Sequence, residues 1–135
     1  MTTVFDLKEE NEKLTMLRGR TPQSTGADRQ GSSAQLAPYR DGQIFTSKFA
    51  GTGAWERHPK GDEFVQILDG ATMLDLETAA GIETLSIKAG AMIVVPQNAW
   101  HRFRSTDGVT LLTITPLPTE HIRTDTDDPR TADGR

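Results

Sequence analysis

Between Leu36 and Pro118 the sequence breaks into short β-type runs separated by turn residues: QIFTSKFAG, EFVQILDG, ATMLDLET, IETLSIKAG, AMIVVP, WHRFRST and TLLTITP. Turn signals spaced by roughly 8–12 residues, with no long helical pattern among them, leave an antiparallel sandwich or barrel as the architecture such a chain can build. A chain of 135 residues supports one core of this kind and not two.

The flanks read differently. Residues 3–18 have a helical pattern, with Thr3 as N-cap, Asp6 in a capping-box relation to it and Gly19 as a stop signal. Leu7, Leu14 and Leu17 form only a thin apolar stripe, enough to cover an edge and too little to anchor a core. Residues 20–33 are rich in Gly, Ser and Thr and read as a surface connector, so residues 1–35 form a helix plus linker ahead of a barrel at 36–118. Residues 119–135 hold one aliphatic side chain among many polar ones and read as a frayed tail, where His121 is not expected to contribute to a site.

Composition narrows the chemistry. The net charge of −4 gives no clustered cationic surface for nucleic acid. Cysteine is absent, which removes disulfides, thiolate zinc sites and thiol nucleophiles and leaves His and carboxylates as the only strong metal ligands. No window approaches the roughly 18 continuous apolar residues of a membrane helix, and the acidic N-terminus lacks the apolar run of a signal peptide. A cytoplasmic location without a membrane or nucleic-acid partner is the expectation.

One stretch concentrates ligand-type residues: Trp55-Glu-Arg-His-Pro-Lys-Gly-Asp-Glu63. In an extended strand Glu56 and His58 project together while Arg57 points away. Pro59 blocks strand continuation and Gly61 permits a positive φ, so the turn can return Glu63 to face His58. A further candidate is His101, which opens a strand after the polar turn at Pro96, with Phe103 and Ser105 on its face and Arg102 and Arg104 on the other. By the same alternation Val65 and Ile67 share the face of Glu63, so a cavity beside these residues is expected to be largely apolar. Trp55 and Trp100 are read as core or rim packing, and Phe103 as a pocket wall.

These residues resemble the two motifs of the cupin family, a small jelly-roll β-barrel. The first motif is a His-x-His pair, a Glu four or five positions on and a Gly seven beyond it; Glu56, His58, Glu63 and Gly70 fall at those places. The second is matched by Gly90, Pro96, Asn98, His101 and Ser105, with Ala71 to Ala89 as the linker between motifs. Glu56 stands where the family has its first histidine, Asn98 replaces a turn glycine and Ser105 a closing asparagine. Asn tolerates the left-handed conformation, so the turn at 98 should survive.

The resemblance implies an all-β jelly-roll barrel, here with an N-terminal helix, and a divalent metal held by Glu56, His58, Glu63 and His101. Mixed N and O ligation without sulfur suits Mn, Fe, Ni or Zn. Two carboxylates and two neutral imidazoles would neutralise the ion, giving a milder Lewis acid than a site with one carboxylate. The implied activity is a metal-dependent dioxygenase, isomerase or decarboxylase on a small oxygen-rich substrate, with no proton-transfer residue identifiable. The alternative is a non-catalytic module that binds or senses a small ligand. Single-domain cupins commonly form homodimers, and the N-terminal helix with its connector could reach across to a partner.

Overall fold

The protein is described by a computed structural model over residues 2–131. One helix, α1 (Leu7–Glu12), is followed by nine strands: β1 (Leu17–Arg20), β2 (Ser33–Tyr39), β3 (Gly42–Thr52), β4 (Trp55–Arg57), β5 (Glu63–Thr78), β6 (Gly81–Lys88), β7 (Met92–Val95), β8 (His101–Pro116) and β9 (Glu120–Ile122). The expected all-β jelly-roll is thus the observed class. No helix among the described residues is long and apolar enough to cross a membrane.

Two long antiparallel strands organise the sheet. β8 pairs with β3, β4 and β5, and β5 pairs with β6, β7 and β8. Runs that read as separate strands fuse here: EFVQILDG and ATMLDLET form β5, and WHRFRST and TLLTITP form β8. Each long strand creases at a glycine of positive φ, Gly70 at 74° and Gly108 at 116°, where the β5–β8 register shifts. A Cβ on Gly70 would collide with the Gly108 carbonyl oxygen, so the creases nest because Gly70 lacks a side chain; a Cβ on Gly108 would instead meet the Met16 side chain.

The side chains sealed between the strands are apolar. Val65, Ile67, Leu74, Val95, Val109 and Leu111 are at most 3% exposed, and each fully buried aliphatic side chain contributes about 1.5–3 kcal/mol. A smaller cluster of Trp55, Trp100 and Ile122 closes the end that carries β4 and β9. Outside it, Arg57 stacks on Trp100 and Arg102 on Trp55, with the guanidinium carbons 4.6 and 4.7 Å from the ring centres.

Both flanks depart from the sequence reading. The helix is confined to Leu7–Glu12, capped by Asp6 and not Thr3, and Leu17 and Gly19 lie instead in β1, parallel to β3. A stripe this thin gains more by pairing with the barrel than by prolonging a helix. Residues 20–33 form a folded loop, and Lys48 Nζ donates to the Asn11 carbonyl at 2.8 Å, so the N-terminal segment lies against its own barrel. Residues 119–131 are not frayed: β9 pairs with β4, Ile122 is buried, and Trp55 Nε1 donates to the Thr126 carbonyl at 2.8 Å.

Candidate metal centre

Two turns position the candidate ligands, and they are tied to each other. The turn after β4 and the turn before β8 share three hydrogen bonds: the Gln97 amide to Asp62 Oδ1 (2.7 Å), Gln97 Nε2 to the Pro59 carbonyl (2.7 Å) and the Asn98 amide to the His58 carbonyl (2.9 Å). Asn98 has a φ of 64°, the left-handed conformation expected of it, whereas Gly61 does not use its freedom for a positive φ. Antiparallel pairing places Glu56 opposite His101 across β4 and β8. The two motifs therefore converge at one end of the barrel.

Glu56, His58, Glu63 and His101 each offer a ligand atom, and these atoms lie within 4.8 Å of one another. His101 Nε2 is 3.1 Å from Glu63 Oε1 and 3.5 Å from Glu56 Oε1. His58 Nε2 is 3.2 Å from Glu63 Oε2 and 3.9 Å from Glu56 Oε1. His58, Glu63 and His101 are buried, while the Glu56 side chain keeps 22% of its exposure.

The far side of each imidazole is already engaged. His101 Nδ1 donates to the Ala99 carbonyl at 3.0 Å, and because a carbonyl only accepts, Nε2 is left to face the carboxylates. His58 Nδ1 lies 3.0 Å from Thr119 Oγ1, while its buried Nε2 makes no aligned hydrogen bond despite the nearby Glu63 oxygen. Thr115 Oγ1 donates to Glu63 Oε2 at 2.6 Å and orients that carboxylate. A buried nitrogen without a hydrogen bond costs free energy unless something binds it. That nitrogen, the oriented Glu63 carboxylate and His–Glu separations of 3.1–3.9 Å fit a divalent ion with bonds of about 2.0–2.2 Å.

The cluster's electrostatics run the same way. Burial alone would raise the Glu56 pKa, but contacts with His101 and His121 and the charge of His58 hold it well below the ordinary carboxylate range. Glu63 is lowered in the same way, burial being outweighed chiefly by His101 and His58. Burial would depress His101, yet Glu56 and Glu63 raise it to about 10.

Beside the donors lies a cavity of about 210 Å³, lined among others by Glu56, His58, Glu63, Phe103 and His121. Phe103 lines it, its ring centre 6.0 Å from that of His101 and edge-on to it. Val65 and Ile67 do not line the cavity; they are fully buried in the core beyond Glu63. The lining is also more polar than expected, since Thr113 and Thr115 face inward from β8, and Arg20 and Arg29 enter from the segment read as a connector. His121 corrects the sequence reading as well: β9 carries it to the cavity, with Nε2 3.5 Å from Glu56 Oε2. Its position was hidden because β9 is three residues long and takes its register from β4.

Residues 44–115, more than half of the chain, match the model of the family described as the cupin domain. The chain belongs to the cupin family. This cupin matches none of the curated proteins. Among solved structures it is similar to a cupin-2 domain protein of Shewanella frigidimarina, at 18% identity over 84% of this chain and 95% of that one, with a TM-score of 0.64. It is also similar to a protein of Neisseria meningitidis, at 23% identity over 85% and 100% of the two chains and a TM-score of 0.62. A hydroquinone 1,2-dioxygenase of a Sphingomonas species, with 4-hydroxybenzoate bound, aligns at 17% identity over 62% of this cupin and 64% of its own chain, with a TM-score of 0.54. At these identities the likeness is one of fold.

Proposed function

We propose that this cupin is a metal-dependent enzyme acting on a small oxygen-rich substrate, with Glu56, His58, Glu63 and His101 as the ligands of one divalent ion. The observation that carries the reading is the convergence of four donor groups, three of them buried, whose ligand atoms lie within 4.8 Å of one another beside a cavity. A bound Mn, Fe, Ni or Zn supplies Lewis acidity there, and Mn or Fe also redox capacity. The chain's own part is to fix the donors through Thr119, Ala99 and Thr115, to limit the substrate by a cavity of about 210 Å³, and to present His121 at its edge. Outside the four donors His121 is the one imidazole lining the cavity among the described residues, and it is the group placed to hold or pass a proton beside Glu56.

Structurally similar cupins include hydroquinone dioxygenases, a DMSP lyase and oxalate decarboxylases, so oxygenation, elimination and decarboxylation are the chemistries to try first. The test is elemental analysis of protein purified without chelator or histidine tag, alongside His58→Ala and His101→Ala. About one equivalent of metal per chain in the wild type and loss in both variants is expected; substoichiometric metal unchanged by the variants would refute the reading. Oxygen uptake over catechol, diketone and hydroxy-acid substrates then separates oxygenase from lyase or isomerase. Tight binding of a small ligand without turnover would select the non-catalytic module, a reading favoured by the way Glu63 already satisfies itself through Thr115 and His101.

The reading extends to a homodimer formed through edge strands. β7 pairs only with β5 among the described strands and turns Met92 and Val94 outward, 50% and 48% exposed. Light scattering after size exclusion should give twice the chain mass at micromolar concentration, and a monomer there would refute the dimer.

A further inference from the structure

The geometry points to a carboxylate-binding subsite formed by Arg20 and Arg29 in the wall of the cavity, which makes the ligand of this cupin a small organic acid. The inference rests on reading the neighbouring donor cluster as a metal centre. Both arginines line the cavity together with Glu56, His58 and Glu63, and both come from the segment preceding the residues matched to the family.

Arg20 is held without being paired. Its guanidinium carbon sits 4.4 Å from the centre of the Phe49 ring. On another side it packs against Gly53, where a Cβ would come within 3.1–3.4 Å of the guanidinium carbon and both terminal nitrogens. Among the described residues the Arg20 guanidinium makes no ion pair or hydrogen bond. Arg29 is anchored through its backbone: its amide donates to the Thr25 carbonyl at 3.1 Å, and its carbonyl accepts from the Ser32 amide at 3.0 Å and Ser32 Oγ at 2.6 Å. The buried Arg29 Nε has no hydrogen-bond partner.

Two half-buried cations with unused donors on one cavity repel each other, and the buried Arg29 Nε lacks a partner, so the arrangement is costly until an anion enters. The Arg20 pKa registers this, lowered first by burial and further by Arg29 and Arg123, with Glu56 pulling the other way. Glu56 and Glu63 do not supply the missing anion, because a divalent ion cancels their two charges and leaves Arg20 and Arg29 in excess. A planar guanidinium fork matches a carboxylate, and a cavity of about 210 Å³ suits an acid of a few carbons. Were Arg20 only a clamp between Phe49 and the barrel, Arg29 would have no reason to bring a second unpaired donor to the same wall.

The test is calorimetric titration of the full chain, with its metal and after chelator treatment, using glycolate, pyruvate and malonate, the neutral amide of glycolate, and inorganic phosphate. At least one acid should bind, the amide should not, and Arg20→Gln and Arg29→Gln should each weaken that acid by about tenfold or more. Metal content should match the wild type in both variants. Arg20→Lys should recover part of the loss, since charge returns without the fork. Thermal melts show whether Arg20→Gln is folded, and if it is not, Arg29→Gln on its exposed loop decides. Binding of none of the acids, equal binding of acid and amide, wild-type affinity in either glutamine variant, or phosphate binding more tightly than every acid would overturn the inference. A protein that binds acids through the arginines but holds no metal would keep this subsite and refute only the metal reading.

Discussion

His121 Nε2 lies 3.5 Å from Glu56 Oε2, so a strand outside the family-matched residues reaches the same carboxylate whose other oxygen faces His101 and His58. Glu56 stands where a histidine is usual in the family, and a third imidazole nevertheless approaches it, from the side away from the other donors. The carboxylate is thereby oriented from behind, as the imidazoles are by Ala99 and Thr119.

This arrangement separates two variants. Glu56→Gln removes an anionic donor and should weaken metal binding well beyond tenfold, whereas His121→Ala removes only an orienting contact and should cost roughly tenfold. Competition against a chromogenic chelator measures both. Wild-type affinity in Glu56→Gln would show that Glu56 is not a ligand.

His101 gives a pH dependence of determinate sign. Its pKa in the fold, about 10, lies above the ordinary 6.5, so its contribution to stability is whole below pH 6.5 and is lost as pH rises through 10. Chelator-treated protein should therefore melt at progressively lower temperature between those limits. Metal uptake near pH 7 should also release a proton, visible as a titration enthalpy that changes with the ionisation heat of the buffer. Flat melting temperatures and a buffer-independent enthalpy would contradict this account.

On the opposite face of β8 the sign reverses. Asp75 accepts from Arg102 Nε and Arg104 Nε at 2.7 Å and from Thr84 Oγ1 at 2.8 Å. Burial would raise its pKa, but the two arginines and Thr84 lower it to about 2. Its stabilisation is thus complete above the ordinary value of 3.8 and is lost as pH falls towards 2. Asp75→Asn should lower stability near pH 7 by about 2 kcal/mol, because two arginines lose their partner. The deficit should shrink in acid, and urea titrations at about pH 7 and pH 3 would show it; an equal deficit at both would contradict the ion-pair account.

Gly70→Ala should be a costly substitution in the barrel. It forces a side chain onto a φ of 74° and drives its Cβ into the Gly108 carbonyl. A loss of at least about 2 kcal/mol, or roughly 8 °C in melting temperature, is expected. Metal stoichiometry should persist in the fraction that remains folded.

What the sequence made legible was local. Alternation along Glu56 and His58 and the turns around Pro59 and Asn98 act over a few residues, so the four donors could be named before their distances were known. Val65 and Ile67 were placed on the correct face but at the wrong depth, because strand periodicity fixes a side and not a layer in a closing barrel. That Arg20, Arg29 and His121 reach the cavity is not legible for another reason. Their segments are short and polar, and their shape comes from β3 and β4, far away in sequence. The fusion of four runs into β5 and β8 is not legible because Gly70 and Gly108, which read as breaks, are creases.

The donors and part of the cavity wall come from different parts of the chain. All four donors lie within residues 44–115, whereas Arg20, Arg29, Thr119 and His121 belong to the flanks. The flanks thus carry the Arg20 and Arg29 wall, the contact behind His58 and the imidazole beside Glu56, while the barrel carries every donor. An exchange of flanks between barrels with the same donors should therefore alter both what enters the cavity and how the donors are held, while leaving the ligand set intact.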